Sequence, residues 1–198
     1  MIDKDFEKKI LEDLKVRLTE EKFCHSLSTA KTSVKLAERW NGDAPKCYLA
    51  GLIHDCGKLK DKDTILNECL KYKITLTEED LKSPQVIHSY LSEAIAREEY
   101  KIEDIEILKA VRNHTLGNND MSLTEKIIFL ADTIEPERGN EKIYQSVREL
   151  AYKNIDEAVL LSYKNSIEYN KKHDRHIHKE ALNHMESLER KMKECTLK

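Results

Sequence analysis

Apolar side chains recur at intervals of three or four residues through most of the chain, which is the spacing of one face of an α-helix. The series is longest between 21 and 40, where Phe23, Leu27, Ala30, Val34 and Ala37 share one face. The same spacing predicts further helices at about 5–18, 45–54, 84–100, 104–114, 123–135, 142–152, 155–171 and 178–193, a weaker one over 63–72, and a helix start near Thr77.

The segments between these helices carry residues that end and begin helices. Gly42 is predicted to cap the C-terminus of the longest helix, and Pro45 suits the first turn of the next one. Ser122 and Glu125 form the Ser-x-x-Glu pattern of a capping box at the start of a later helix.

Composition favours the same helical architecture. Of 198 residues only 5 are glycine and 3 are proline, while 39% are hydrophobic and 36% are charged. Few positions therefore interrupt helices, and the apolar content suffices for a core. We predict an all-α fold and a single domain over 1–198, with a core at about 18–138 and C-terminal helices at about 140–195 packed on it.

Charge and cysteine content limit the partners and the compartment. The formal net charge is −3, with both signs interspersed, which gives no general attraction to nucleic acid or to an anionic membrane. No apolar stretch approaches the roughly 20 residues of a membrane span, and 1–15 is charged and amphipathic rather than a signal peptide. We therefore expect a cytoplasmic protein.

The cysteines agree with that compartment. Their number is odd and no Cys-x-x-Cys occurs, so reduced thiols are expected. Cys24 and Cys56 are predicted to be small core residues. The five cysteines are Cys24, Cys47, Cys56, Cys69 and Cys195.

A wholly apolar run, 48–53, leads directly into His54 and Asp55. Such a run is predicted to be buried, and a buried carboxylate without a partner is costly. Adjacent residues of a helix point about 100° apart, so both side chains converge only on a group that lies between helices. A metal ion is such a group, and the alternative is a hydrogen-bonded His–Asp pair at a helix end.

Four distant residues can complete a metal site: His25, His88, His114 and Asp132. Each lies on or beside the apolar face of a different predicted helix. Three imidazoles and two carboxylates would make one octahedral site, and four imidazoles with two carboxylates could make two sites that share a carboxylate. These ligands suit iron, manganese or zinc. The alternative for any single histidine is a satisfied core or surface residue, but the joint pattern favours metal.

A second group of candidate ligands occurs late in the chain. Its spacing matches no closed zinc pattern, so we reject a metal site there. Its members are His173, Asp174, Arg175, His176 and His178.

The order H…HD…H…H…D resembles the HD-domain superfamily of metal-dependent phosphohydrolases. The motifs at 24–27, 50–55 and 130–138, together with 170–178, resemble the YqeK family over nearly the whole chain. The first two motifs are shared across HD proteins, whereas Ala-Asp-x-Ile-Glu-Pro-x-Arg is far more specific to this family. The stretch 54–58 is also similar to the HD-GYP cyclic-dinucleotide phosphodiesterases, although the GYP signature itself is absent.

The resemblance implies an HD-domain helical bundle and symmetrical hydrolysis of diadenosine tetraphosphate to two ADP. It implies iron as the cofactor, with manganese or another divalent metal as the alternative, in one or two ions. The tighter ion would be held by His25, His54, Asp55 and Asp132. A second ion, or a phosphate, would be held by His88 and His114, with Asp55 bridging.

Several of these residues are also candidates for contact with substrate. Lys58, one turn past the ligands, can reach a phosphate oxygen, and Arg138 offers a forked donor at a helix end. The alternative for both is a solvated surface charge. The expected catalytic residues are Asp55, Lys58, His88 and His114. The expected substrate-binding residues are Lys58, His88, His114 and Arg138, with Arg175 and His178 bordering the nucleotide.

Two other functions stay open at this point. One is another HD-domain nucleotide phosphohydrolase, either a nucleotidase or a phosphodiesterase, and the other is a metal-dependent nucleotide-binding protein without turnover. We expect a small nucleotide as partner and ADP as product, and no nucleic acid, because no basic stripe with interleaved aromatic residues occurs. The oligomeric state is left open, with a homodimer among the alternatives.

Overall fold

The computed structural model describes residues 2–59, 61–139 and 141–196, without the side chains of Lys62, Cys195 and Thr196. Within this part of the chain every regular element is helical, which confirms the all-α prediction. The predicted thiol state of Cys195 and the two ends of the predicted domain lie outside the described residues. The helices are α1 Lys4–Arg17, α2 Glu20–Trp40, α3 Ala44–Ile53, α4 Lys62–Lys71, α5 Glu78–Lys82, α6 Ile87–Glu98, α7 Ile105–Asn113, α8 Leu123–Ile134, α9 Lys142–Ala151, α10 Ile155–Lys172 and α11 Lys179–Thr196.

The C-terminus of α2 differs from the prediction. Asn41, rather than Gly42, adopts the left-handed conformation, with φ of 54°. Its N–H bonds to the carbonyl of Ala37, and the N–H of Gly42 bonds to the same carbonyl at 2.8 Å, so Asn41 is the left-handed residue and Gly42 follows it. Asparagine tolerates this conformation better than most residues because its short polar side chain can bond locally.

The helix predicted from 84 to 100 is divided and shortened. It begins as a 3₁₀ turn, Pro84–Val86, and continues as α6 from Ile87 to Glu98. Lys101 then takes a left-handed conformation, and the N–H of Ile102 bonds back to the carbonyl of Ala96, which ends the helix.

Helix α3 lies at the centre of the bundle and explains the wholly apolar run. It packs against α2, α7 and α8, so that no side of its second half faces solvent. Helix α8 is nearly as buried, and α9 and α10 pack on it from the C-terminal side. The main core surrounds α3, and a small second cluster of Val86, Tyr90 and Leu116 lies apart from it.

Two glycines allow the backbone around α3 to approach its neighbours. A Cβ at Gly51 would lie 3.0 Å from the Cα of Ala30 in α2. A Cβ at Gly57 would lie 2.5 Å from the amide nitrogen of Ser92 in α6, and the Gly57 N–H donates to Ser92 Oγ at 2.8 Å. The turn that follows α3 is thereby fixed between α2 and α6.

The cysteine environments are only partly as predicted. Cys56 is buried, but Cys24 is exposed, because it lies on the face of α2 opposite the core. Cys47 and Cys69 are also buried, and none of the four described thiols is in a disulfide. Among the described residues no helix is long and apolar enough to span a membrane.

Gly57→Ala is expected to destabilise the protein by roughly 1–3 kcal/mol, because the added methyl group overlaps backbone atoms of α6 that move only with the helix. At about 2–4 °C per kcal/mol, the melting temperature should fall by several degrees in circular dichroism. Gly42→Ala is the matched control, since its Cβ would meet the tip of the Ile127 side chain at 3.2 Å. Equal melting temperatures for the two variants would contradict the close-approach argument.

Candidate metal centre

The structure brings all six predicted metal ligands to one place inside the bundle. They come from five helices or from the residues directly after them. Only His54 and Asp55 are neighbours in the sequence. His25 is on α2, His54 and Asp55 follow α3, His88 is on α6, His114 follows α7, and Asp132 is on α8.

The carboxylate of Asp55 is the common partner of the histidines. Its Oδ1 lies 2.9 Å from His88 Nε2 and 3.5 Å from His114 Nε2. Its Oδ2 lies 3.5 Å from His54 Nε2 and 3.8 Å from His25 Nε2. The two oxygens therefore face two different pairs of imidazoles, which is the arrangement that a bridging carboxylate requires.

Asp132 and the remaining imidazole contacts complete both halves. Asp132 Oδ1 is 2.9 Å from His25 Nε2 and 3.8 Å from His54 Nε2. On the other side, the Nε2 atoms of His88 and His114 are 3.0 Å apart. Three overlapping groups of three residues could each hold a metal ion. Within each group the possible ligand atoms lie within 4.8 Å of one another, and each group contains Asp55 or Asp132.

Backbone carbonyls fix the orientation of two imidazoles. His54 Nδ1 is 2.7 Å from the carbonyl of Gly51, and His114 Nδ1 is 2.7 Å from that of Val111. A carbonyl can only accept, so each Nδ1 carries the proton and each Nε2 directs a lone pair into the centre. Both histidines follow directly after a helix, where the carbonyl three residues earlier is free to accept.

Glu135 fixes a third imidazole, and the sequence did not single it out. Its carboxylate is fully buried and lies 2.9 Å from His25 Nδ1, which leaves His25 Nε2 for the centre. Hydrogen bonds of this kind orient metal-ligating histidines and raise their basicity. The available signal was an acidic residue directly after an apolar helix, three positions beyond Asp132.

Several inward-facing atoms have no hydrogen-bond partner in the described part of the chain. They are His25 Nε2, His54 Nε2 and Asp55 Oδ1, all buried. The lone pairs of His54 Nε2 and Asp55 Oδ1 converge, and His25 Nε2 adds another when its imidazole is neutral. An unpartnered buried polar atom costs about 1–3 kcal/mol, so this set fits a cation that all of them can share.

Burial and neighbouring charges set the protonation of these groups. Burial lowers the pKa of His54 to about 3 and also lowers that of His88, so both are neutral ligands. Burial opposes ionisation of Asp55 and Asp132, but nearby imidazoles and, for Asp132, Arg138 hold both pKa values well below normal. His25 differs, because hydrogen bonds to Asp132 and Glu135 outweigh its burial and raise its pKa to about 9.

Lys58 and Arg138 are paired with the carboxylates of the centre rather than free at the surface. Lys58 Nζ lies 2.9 Å from Asp55 Oδ2. Arg138 Nη2 pairs with Asp132 Oδ1, and its Nε donates to the Asp132 carbonyl at 2.9 Å. The interpretation as solvated surface charges is therefore wrong for this structure.

A cavity of about 340 Å³, here the metal-site cavity, opens from the centre toward the C-terminal helices. It is walled by Lys58, His88, His114 and Asp132 on one side. The remaining predicted substrate residues, Arg138, Arg175 and His178, line the same cavity. All of the candidate site residues except His25, His54 and the buried Asp55 thus contact this space.

His178 is held by a carboxylate whose role the sequence did not indicate. Its Nε2 is 3.4 Å from Asp80 Oδ1, and its Nδ1 accepts the N–H of Glu180 at 3.2 Å. Asp80 also accepts from the hydroxyl groups of Tyr90 and Thr77. From the sequence, Asp80 was assigned only to a helix start. Its contact with His178 could not be predicted, because the two residues are almost one hundred positions apart.

The other late histidines make separate contacts. His176 pairs with Glu79 at 2.8 Å, and His173 Nδ1 bonds to the carbonyl of Tyr169. The groupings able to hold a metal among the described residues all lie at the centre above.

Comparison with known proteins places this geometry in context. The HD domain family model matches residues 23–137. A symmetrical bis(5′-nucleosyl)-tetraphosphatase from Halalkalibacterium halodurans is 35% identical over 177 residues, 88% of this chain and 92% of that protein. A Staphylococcus aureus protein of the same name is 39% identical over 140 residues, 70% of each chain.

A solved structure has the same fold. It is the crystal structure of a predicted HD superfamily hydrolase involved in NAD metabolism from Clostridium acetobutylicum. The TM-score is 0.88 at 31% sequence identity, and the match covers 93% of this chain and 97% of that chain.

Glu135→Ala is expected to weaken metal binding about 10- to 100-fold, since His25 loses the partner that orients it. Competition with a chromophoric chelator measures the affinity. Glu137→Ala is the control, because this neighbouring glutamate is exposed. Glu135→Gln keeps an acceptor for His25 and should fall between the two. Equal affinity in Glu135→Ala and Glu137→Ala would contradict the role of the hydrogen bond.

The metal-free protein is expected to lose stability as the pH rises from 6.5 to 9. The folded pKa of His25 is about 9 against an ordinary 6.5, so its contribution is complete below 6.5 and is lost as the pH rises through 9. The loss is on the order of 3 kcal/mol. His54 and His88 are neutral in the folded state over this range, because their pKa values are lowered. Loss of their protons from the unfolded chain raises the stability only slightly, just above pH 6.5.

Urea unfolding of chelator-dialysed protein at several pH values measures this loss. The His25→Gln variant serves as control and should show a flatter dependence over the same range. Parallel curves for the variant and the natural chain would refute the assignment to His25.

Proposed function

The chain belongs to the HD-domain family, and from that premise we propose that it is a metal-dependent hydrolase that cleaves diadenosine tetraphosphate symmetrically into two ADP. The bridging position of Asp55 between two pairs of imidazoles is the observation that carries the metal-dependent part. The substrate is supported by relatives named symmetrical bis(5′-nucleosyl)-tetraphosphatase, which match most of this chain. The names of these relatives also agree with the resemblance to the YqeK family.

The proposed ligands would serve one or two ions. His25, His54, Asp55 and Asp132 would hold the first ion. His88 and His114, with Asp55, would hold a second ion or contact a phosphate. Iron is the proposed metal, supported by a donor set of imidazole and carboxylate without thiolate, which manganese also satisfies, and by the resemblance to an iron-using family.

A bound divalent ion would lower the pKa of a bound water toward neutrality and polarise a phosphoryl oxygen. The chain supplies the remaining positive charge. Lys58 and Arg138 lie beside the carboxylates of the centre, and Arg175 lines the same cavity, so three cations face the place where a tetraphosphate would lie. Arginine can hold phosphate oxygens with two parallel hydrogen bonds, which favours it over a single point charge.

The proposed reaction adds one water across the central phosphoanhydride bond. The water oxygen bonds to one of the two inner phosphorus atoms, and the bond from that phosphorus to the bridging oxygen breaks. The bridging oxygen leaves with the second ADP. The two protons of the water are released to solvent, so the terminal phosphate of each ADP gains one negative charge. Both products therefore have two phosphates, and only one contains oxygen from water.

The remaining proposals concern surroundings and partners. We propose a cytoplasmic location, supported by the four described cysteines, which are free thiols. We propose that neither nucleic acid nor a membrane is bound, in keeping with the net charge of −3. The homodimer stays a proposal, which light scattering of the purified protein tests.

Two competing functions predict other results in the same assay. A nucleotidase or phosphodiesterase would prefer a mononucleotide or a cyclic dinucleotide over diadenosine tetraphosphate. A protein that only binds nucleotides would release neither phosphate nor ADP when loaded with metal. The structure favours turnover over binding alone, because the centre joins the cavity directly through His88, His114 and Asp132.

Hydrolysis of diadenosine tetraphosphate in ¹⁸O-labelled water is expected to give ADP alone, with the label in one of every two molecules. Protein purified without oxygen and loaded with iron should be used, with products resolved by chromatography and mass spectrometry. Asp55→Ala is the control, since loss of the shared carboxylate should abolish both metal binding and turnover. ATP and AMP as primary products would overturn the proposed position of the substrate.

A further inference from the structure

A second cavity, of about 250 Å³, adjoins the metal-site cavity and has no role in the description above. It lies between α9 and α10, beside the 3₁₀ turn Pro136–Arg138, and is called here the α9/α10 cavity. The two cavities share a wall made of Asp132, Thr133, Arg138, Ser162, Ser166 and Tyr169. They therefore meet at a carboxylate of the metal centre and at the arginine paired with it.

The far wall of the α9/α10 cavity is apolar and aromatic. It is formed by Ile143, Tyr144 and Val147, which recur at one face of α9. Ile143 is 37% exposed and can therefore contact a ligand in the cavity. Stacking of a nucleobase on an aromatic side chain stabilises a complex by about 1–3 kcal/mol, so this wall suits a base.

Polar groups at the edge of this wall suit the edge of a purine or a ribose. The amide side chain of Asn165 makes no hydrogen bond to the described residues, and an amide can both donate to and accept from an adenine edge. The carboxylate of Glu141 is exposed at the rim and can accept from hydroxyl or amino groups. The cavity thus combines an apolar face with a few polar groups, as nucleoside sites do.

The symmetry of the proposed cut supplies the reason for two cavities. When the central anhydride bond lies at the metal centre, an identical ADP half extends from it on each side. One nucleoside then enters the metal-site cavity, toward Arg175 and His178. The other must leave in another direction, and the adjoining space is the α9/α10 cavity, reached past Arg138.

We propose that the α9/α10 cavity binds the second nucleoside of a dinucleoside polyphosphate, with Tyr144 as the stacking residue and Asn165 as the polar contact. This proposal rests on the proposed function and adds the basis of its selectivity. The protein distinguishes a polyphosphate with a nucleoside at both ends from one with a nucleoside at one end only.

The test compares diadenosine tetraphosphate with adenosine 5′-tetraphosphate, which has the same four phosphates and one nucleoside. The readout is the ratio of the two kcat/KM values for the metal-loaded protein. The natural chain should favour the dinucleoside, and Tyr144→Ala should lower the ratio about 5- to 100-fold, the equivalent of one lost stacking contact. Tyr144→Phe keeps the ring and should restore most of the ratio.

Tyr72→Ala is the matched control, because this half-buried tyrosine lines a different cavity, away from both described here. It should leave the ratio as in the natural chain. A ratio that Tyr144→Ala does not change, whether both activities fall together or neither falls, would overturn the proposal.

The failure of the proposed function has a different signature. In that case the natural chain turns over neither substrate. Calorimetric binding of the same two ligands to the natural chain and to Tyr144→Ala then decides the second site separately. A selective loss of affinity for the dinucleoside supports the site, and equal affinities in the two proteins refute it.

Discussion

The charge of one buried carboxylate is the constraint on which this structure depends. Asp55 is fully removed from solvent just after α3, whose second half is wholly buried, and such a charge is tolerated only with several partners in good geometry. Those partners are the imidazole of the adjacent His54 and three imidazoles from other helices. The helices that carry them must therefore converge, and the bundle surrounds this point rather than an entirely apolar centre.

The backbone of α3 makes this convergence possible. Its apolar residues allow neighbours on all sides, and Gly51 allows the closest approach of α2. Gly57 does the same for α6 one turn after the ligands, so the position of His88 relative to Asp55 is set by backbone contact rather than by flexible side chains. Rigid placement of this kind is what a metal site needs if its geometry is to persist without the ion.

The helices and the six candidate ligands could be predicted because their signals are local. Periodicity marks the helices, and an imidazole on an apolar face is conspicuous wherever it occurs. Glu135 and Asp80 were not predicted, since each acts through a histidine about one hundred residues away. The C-terminal cap of α2 was assigned to Gly42 instead of Asn41, because glycine is the commoner residue in the left-handed conformation and asparagine also adopts it.

The centre also carries its own counter-ions. Lys58, Arg138 and protonated His25 balance the carboxylates around them when the ion is absent. Folding therefore does not have to wait for metal, in contrast to small zinc domains, which are unfolded without it. A newly made chain can therefore reach its final shape before a divalent metal binds, and the proposed activity then depends on the supply of that metal.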